Sequence, residues 1–271
     1  MIIVNDLHKA FIRQGKPVFK LNLNFGKRQQ ESVKAVDGVS FRAEDGAITG
    51  LLGANGAGKT TSLRMIASLL APDRGDISVD GVQVKAGQQG TQSTMGVLSD
   101  ARGLYPRLTA RENIQYYGSL HGMELGLIEQ RTHQLAHWLD MHALLDRRTE
   151  GFSQGERMKT ALARALIHDP KNIILDEPTN GLDVVATRAL REFLRWLRSP
   201  EGGGKCIIFS THIMQEVERL CDQVVIVAQG RNVASGTVSE LLQHAGEPNF
   251  EDAFVKLAFL TPATTITRGN G

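Results

Sequence analysis

The chain has 271 residues, 41% of them hydrophobic, which excludes a disordered or fibrous polymer and predicts one domain with a sizeable core and room for an inserted lobe. Its formal charge of +2, with acids and bases interspersed, supplies no single-sign field for nucleic acid or anionic lipid. Cys206 and Cys221 have neither metal-ligand spacing nor the framework of a secreted domain, so a reduced, cytosolic protein is expected.

In chain order, Met1 to Leu7 is a short apolar stretch broken by Asn5 and Asp6, without the basic start and apolar span of a signal peptide. Gln14 to Lys34 is basic and ends in a polar, glutamine-containing stretch, and it reads as a long hairpin or loop at the surface. Strand-like runs then alternate with helix-like ones. Ala47 to Leu52 precedes Thr60 to Leu70, Asn172 to Leu175 precedes Val185 to Leu197, and Cys206 to Phe209 precedes Ile213 to Cys221. This alternation predicts a parallel sheet covered by helices. The helices rest on spacing: Leu190, Phe193, Leu194 and Leu197 fall at i, i+3, i+4 and i+7, as do Met158, Ala161, Leu162 and Ala165.

From about Asp100 to His168 the strand signals disappear and the pattern is helical, opening with Thr109 and Glu112 at capping-box spacing. A helical lobe is expected there. Near the end, Phe250, Ala253, Phe254 and Leu257 mark a short amphipathic helix before a frayed Thr/Gly/Pro-rich tail. The longest uncharged apolar runs, such as Val224 to Ala228, are far too short to cross a bilayer.

The strongest chemical signal is Gly53-Ala54-Asn55-Gly56-Ala57-Gly58-Lys59-Thr60, a phosphate-loop pattern that directly follows an apolar strand and opens a helix. Glycines let backbone N–H groups turn inward around phosphate oxygens, Lys59 reaches the terminal phosphates, and the Thr60 hydroxyl suits Mg²⁺. A chance glycine-rich turn is a poor account of the same residues. Asn172 to Pro178 brings two adjacent carboxylates to the carboxyl end of a strand, where open α/β sheets bind ligands. Asp176 is placed to hold a metal and Glu177 to polarise water as a general base. Phe152-Ser153-Gln154-Gly155-Glu156 starts another helix with capping-box spacing, which by itself is simply a well-capped helix.

In this order the residues resemble an ABC ATPase, the nucleotide-binding subunit of ATP-binding-cassette transporters, over roughly Ile3 to Glu240. The set is the phosphate loop, Phe152 to Glu156 as a variant signature, the Asp176-Glu177 strand, Asn180-Gly-Leu-Asp183, and His212 after the strand Cys206 to Phe209. The resemblance implies an α/β fold: a phosphate-loop NTPase (RecA-like) core with a mostly parallel sheet, an antiparallel β portion and an inserted helical lobe. The ABC domain would span 1–240, with its core at 1–99 and 169–240 and its lobe at about 100–168, followed by a C-terminal helix and tail at 241–271.

The resemblance further implies ATP and Mg²⁺ as ligands. ATP would be held by Phe11, by Gly53 to Thr60 and by Thr61, with Phe11 stacking on adenine. Glu177 and His212 would be catalytic, His212 contacting the γ-phosphate. Thr60, Asp176 and Asp100 would serve the metal. Two such subunits would pair head to tail, most simply as a homodimer, so that Ser153, Gln154, Gly155 and Glu156 of one face the ATP of the other and Asp183 links the two sites.

The partner would be an integral-membrane permease at the cytoplasmic face of the membrane, and Gly103 to Asn113 resembles drug- and sodium-efflux subunits. The alternative is a soluble ABC ATPase acting on ribosomes or DNA. Such relatives usually join two cassettes by a basic linker or insert a long coiled coil, features this sequence lacks, and no nucleic-acid partner is expected. Two positions depart from the family pattern. Asp100 stands at the usual glutamine, where an ionised carboxylate cannot donate a hydrogen bond, and Gln154 stands at a usual glycine. Lys59→Ala is expected to weaken nucleotide binding, measured as ATP affinity on the purified chain; wild-type affinity would refute the phosphate-loop assignment.

Overall fold

A computed structural model describes residues 1–14, 30–85, 92–99 and 103–260. The basic stretch at 15–29, Asp100 and the tail at 261–271 lie outside the described residues. Five parallel strands form the larger sheet: β3 (Ile48–Leu52), β6 (Met95–Leu98), β7 (Asn172–Asp176), β8 (Cys206–Thr211) and β9 (Gln223–Ala228). An antiparallel edge strand, β10 (Arg231–Gly236), completes the order β10-β9-β3-β8-β7-β6. Every residue of β3, β7 and β8 is buried, the mark of strands covered on both faces.

The period of two decides which face each side chain serves. In β8, Cys206 and Ile208 join one core while Ile207 and Phe209 join the other; in β7, Ile174 opposes Ile173 and Leu175 in the same way. The first of these cores is closed by α1 (Lys59–Ile66) and a second, antiparallel sheet of β1 (Ile2–Gln14), β2 (Gln30–Ala43), β4 (Arg74–Val79) and β5 (Val82–Gln83), in the order β2-β1-β4-β5. β1 and β2 pair antiparallel from Ile2↔Ala43 to Gln14↔Gln30, and the hairpin or loop expected over Gln14 to Lys34 lies mostly outside the described residues.

On the opposite face lie α4 (Gln154–Leu166) and α5 (Val184–Arg198). Their stripes Met158, Ala161, Leu162, Ala165 and Leu190, Phe193, Leu194, Leu197 are all buried in one cluster, each large side chain contributing about 1.5–3 kcal/mol by leaving water. α2 (Ala110–Leu120) and α3 (Leu125–Trp138) pack on α4 between β6 and β7. The cap of α2 is reciprocal: Glu112 N–H donates to Thr109 Oγ1 (3.1 Å) and Thr109 N–H to Glu112 Oε2 (2.7 Å). Buried Asn113 fastens the preceding loop, accepting from Tyr105 N–H (2.8 Å) and donating to Tyr105 O (3.1 Å).

Beyond β9, α6 (Met214–Leu220), α7 (Val238–Ala245) and α8 (Phe250–Val255) cover the remaining face, with Phe250, Ala253, Phe254 and Leu257 buried there. Among the described residues no helix is long and apolar enough to cross a membrane. Cys206 is buried and Cys221 half-buried, and desolvation pushes their thiols up to about 11 and about 12, which favours the protonated form.

Two elements differ from the sequence expectation. Helix α1 ends at Ile66 rather than Leu70, because Ser68 takes a left-handed conformation (φ 60°) and anchors its hydroxyl on Lys85 O (2.9 Å), leaving Leu69 exposed. Strands β4 and β5 have no apolar run to announce them, since only Ile77 and Val79 of β4 face the core.

The two sheets are clasped where β2 meets β10. Asp37 N–H donates to Gly230 O (2.8 Å), Ser40 N–H to Asn232 Oδ1 (3.0 Å), and Arg231 Nε to Asp37 Oδ2 (3.0 Å). The Arg231 hydrogen bond, seconded by Lys34, holds the Asp37 carboxyl down to about 2, against an ordinary 3.8. A depressed carboxyl contributes stability that is present above its unfolded value and lost as pH falls through its folded one. The difference in melting temperature between wild type and Asp37→Asn should therefore be constant near neutrality and close between about pH 4 and about pH 2. A gap independent of pH would remove the ion pair from the clasp.

Candidate functional site

Past Leu52 the chain turns from Gly53 to Gly58 before α1 starts at Lys59. Gly58 caps that helix at φ 107°, and a Cβ there would lie 2.5 Å from Ala35 O, so both conformation and space require glycine. The first N–H groups of α1 have no intrahelical partners and form a natural anion site. Lys59, only 5% exposed, donates its Nζ to Gly53 O (2.8 Å) and Ala54 O (3.3 Å) and lies 3.6 Å from Glu177 Oε1.

The carboxylates are set by the pairing of β7 with β8, which brings Asp176 opposite Ser210. The Ser210 hydroxyl donates to Asp176 Oδ1 (2.5 Å), while Glu177 N–H reaches both Ser210 O (3.1 Å) and Ser210 Oγ (3.2 Å). These bonds hold Glu177 in the left-handed region at φ 50°, a conformation that costs a residue with a side chain about 1–2 kcal/mol. The turn aims its carboxylate across the loop, with Oε2 2.6 Å from His212 Nδ1 and 3.4 Å from Asn180 Nδ2.

Phe11, Ala35, the loop from Asn55 to Thr61, Glu177, Asn180 and His212 line one cleft of about 520 Å³. Phe11 is 45% exposed, an aromatic ring lining the cleft with Lys9 Nζ 6.0 Å from its centroid, rather than a core residue. Thr60 and Thr61 are half-buried in the first turn of α1, and Asp176 is buried beside the cleft. Hydroxyl and carboxylate oxygens of this kind are the donors a hard cation such as Mg²⁺ takes. The cleft can thus receive a flat base at Phe11, a chain of phosphates along the loop, and a nucleophilic water beside Glu177.

The other expected residues stand elsewhere. Ser153 and Glu156 close a capping box on α4, Glu156 N–H donating to Ser153 Oγ (3.2 Å) and Ser153 N–H to Glu156 Oε2 (2.8 Å). That backbone bond, with Arg147 2.7 Å away, holds the Glu156 carboxyl below its usual range. Ser153 and Gln154 are exposed outside the cleft. Gln154 packs on the loop after β7: a methyl at Gly181 (φ 82°) would sit 2.5 Å from Gln154 Cγ. Asp183 accepts from Ala186 N–H (2.8 Å) as the cap of α5, beside the exposed Val184 and Val185. Sequence reasoning missed Ser210, and it gave no site role to Asn180 or Ala35. Ser210 is two residues before His212 at the end of a strand, but only the knowledge that β8 neighbours β7 gives it a role.

A phosphate loop at the carboxyl edge of a parallel sheet, with a strand-end carboxylate pair and a helical insertion, defines a phosphate-loop nucleoside triphosphatase. A family model described as "ABC transporter" matches residues 36–180. The chain is 45% identical over 216 residues to the ABC transporter ATP-binding protein NatA of Bacillus subtilis (strain 168), covering 79% of this chain and 87% of that one. It is 37% identical over 209 residues to the Nod factor export ATP-binding protein I of Ralstonia nicotianae, covering 77% of this chain and 64% of that relative.

A solved ATP-binding subunit of an ABC transporter superposes with a TM-score of 0.77 at 28% identity, covering 94% of this chain and 98% of that one. A dimeric cassette, MJ0796, bound to ADP and Pi shares the fold with a TM-score of 0.74 at 21% identity, covering 88% of this chain and 98% of that one. The chain belongs to the ABC transporter family, as an ATP-binding subunit, and is an ATPase.

Because one hydroxyl orients both carboxylates, Ser210→Ala should lower ATP turnover by about tenfold or more while ATP affinity stays close to wild type. Steady-state ATPase assays alongside nucleotide titration separate the two; unchanged turnover would free Asp176 and Glu177 from Ser210.

Proposed function

We propose that this chain binds and hydrolyses ATP as the energising subunit of a multi-component exporter whose permease is a separate integral-membrane protein. The observation that carries this reading is the division of the site. Lys59, Glu177 and His212 converge on one cleft, whereas Ser153, Gln154 and Gly155 are on the flank of the same molecule, outside that cleft. Residues so placed suit the nucleotide of a second copy, in a head-to-tail homodimer that closes on ATP and reopens on hydrolysis. Exposed Val184 and Val185 next to Asp183 suit the same contact. Export is supported by the similarity to relatives named for Nod factor export. With a membrane partner, the chain works at the cytoplasmic face.

In this reading Phe11 stacks on the base, backbone N–H groups from Gly53 to Thr61 wrap the phosphates, and Lys59 exchanges its loop carbonyls for terminal phosphate oxygens. Thr60 and Asp176 would hold Mg²⁺, which when bound neutralises charge on the phosphates. Glu177 takes a proton from the attacking water, and His212, on its Oε2, fixes the carboxylate and contacts the γ-phosphate. The core at 1–99 and 169–240 carries the nucleotide, and the helices between about 100 and 168 pass the closure to the permease.

Glu177→Gln should retain ATP binding, lose turnover by about 10²–10⁴-fold, and accumulate a dimer on gel filtration with ATP. Unchanged turnover would take the base role from Glu177. Affinity purification from native membranes tests the partner: a stoichiometric multi-span protein supports the exporter, and ribosomal or DNA-bound partners without one would overturn it.

A further inference from the structure

At the edge of the sheet opposite the nucleotide cleft, where β7 and β8 begin, lies a second cavity of about 180 Å³. Its wall is a stack of aromatic rings. Trp138 of α3 lies against Phe193 and Trp196 of α5, with centroid separations of 5.2 and 5.0 Å and near-parallel planes (22° and 28°), the spacing at which offset aromatic rings attract. Large side chains surround the space without filling it, although an empty apolar void weakens a core. An apolar cavity of about 150 Å³ accepts a benzene ring, so this one has room for a single ring with a short substituent.

The rim carries the charge. Arg131 Nη2 lies 3.0 Å from Asp169 Oδ1, and Lys205 Nζ lies 3.1 Å from that same oxygen. Lys205 is 7% exposed, and its Nζ also donates to Asp169 O (3.2 Å). Two cations therefore share one carboxylate oxygen, leaving a net positive charge at the rim of an aromatic box. Neither the nucleotide chemistry nor the signature segment uses any of these residues.

We propose that this cavity binds a small aromatic carboxylate, its ring extending the Trp138–Trp196 stack and its carboxylate meeting Arg131 and Lys205. One wall belongs to α3, in the helical insertion, and the other to α5, on the sheet. A ligand seated between them favours one disposition of the insertion over another and so reaches the ATPase from the far edge of the sheet. The inference is independent of the exporter reading, and its test does not depend on turnover.

Trp138 and Trp196 are the chain's two tryptophans and both line the cavity, so tryptophan fluorescence, excited beyond the absorption of the three tyrosines, reports this place alone. The full chain is titrated with 4-iodobenzoate, a heavy-atom quencher, and with the neutral 4-iodobenzyl alcohol. Saturable quenching is expected, with the carboxylate midpoint roughly tenfold lower than that of the alcohol, the ratio a charge-assisted hydrogen bond supplies. Arg131→Gln should shrink that preference to roughly twofold, because one of the two cations is gone. Leu135→Phe, which fills the cavity, should abolish saturation. Linear, non-saturating quenching by both compounds, or equal midpoints in the wild type, overturns the proposal. The wild-type comparison decides even where a variant fails to fold.

Discussion

The parallel pairing of β7 with β8 is the constraint on which the site depends. It sets Asp176 opposite Ser210, and one hydroxyl then donates to the first carboxylate and accepts the N–H of the second. That acceptance holds Glu177 in a left-handed turn it would not adopt alone. From there its carboxylate meets Asn180 of its own turn and Lys59 and His212 from two other parts of the chain. A one-residue slip of β8 would exchange its two faces, putting Phe209 where Ser210 stands. The burial of Ile207 and Phe209 in one core and of Cys206 and Ile208 in the other forbids that slip, so the packing of the sheet fixes the chemistry at its edge.

The same sheet explains why the molecule divides its work. The carboxyl edge collects loops and hence polar groups, while the faces are closed by an antiparallel sheet and α1 on one side and by helices on the other. The helices between β6 and β7 lie against the sheet chiefly through α4, and the start of α4 is anchored to the loop after β7 by Gln154 over Gly181. At the opposite edge the aromatic cavity lies between the same two bodies.

Much of this was legible in the sequence. The phosphate loop is local chemistry, because glycine is required wherever backbone must approach an anion, and its strand-before, helix-after context needs no tertiary knowledge. The stripes on α4, α5 and α8 proved to be buried faces because a helix that must cover a sheet repeats its apolar residues with the helical period. Reading failed where the determinant was not local. Helix α1 stops early because Ser68 finds a partner in Lys85, and β4 was hidden because a half-exposed strand needs only Ile77 and Val79 to be apolar. Phe11 has its adenine-side place in the sequence only through the family resemblance, and the pairing of β1 with β2 is what carries it to the cleft.

By itself, then, the sequence determined the nucleotide loop, the carboxylate pair at a strand end, the family and the alternation that makes a parallel sheet, all properties of short contiguous segments. Only the tertiary structure decided that Ser210 orients both carboxylates, that His212 and Asn180 share Glu177, and that both tryptophans line one cavity. The reason is physical: a residue's type states which bonds it can form, and the register of strands distant in sequence states which partners are within reach.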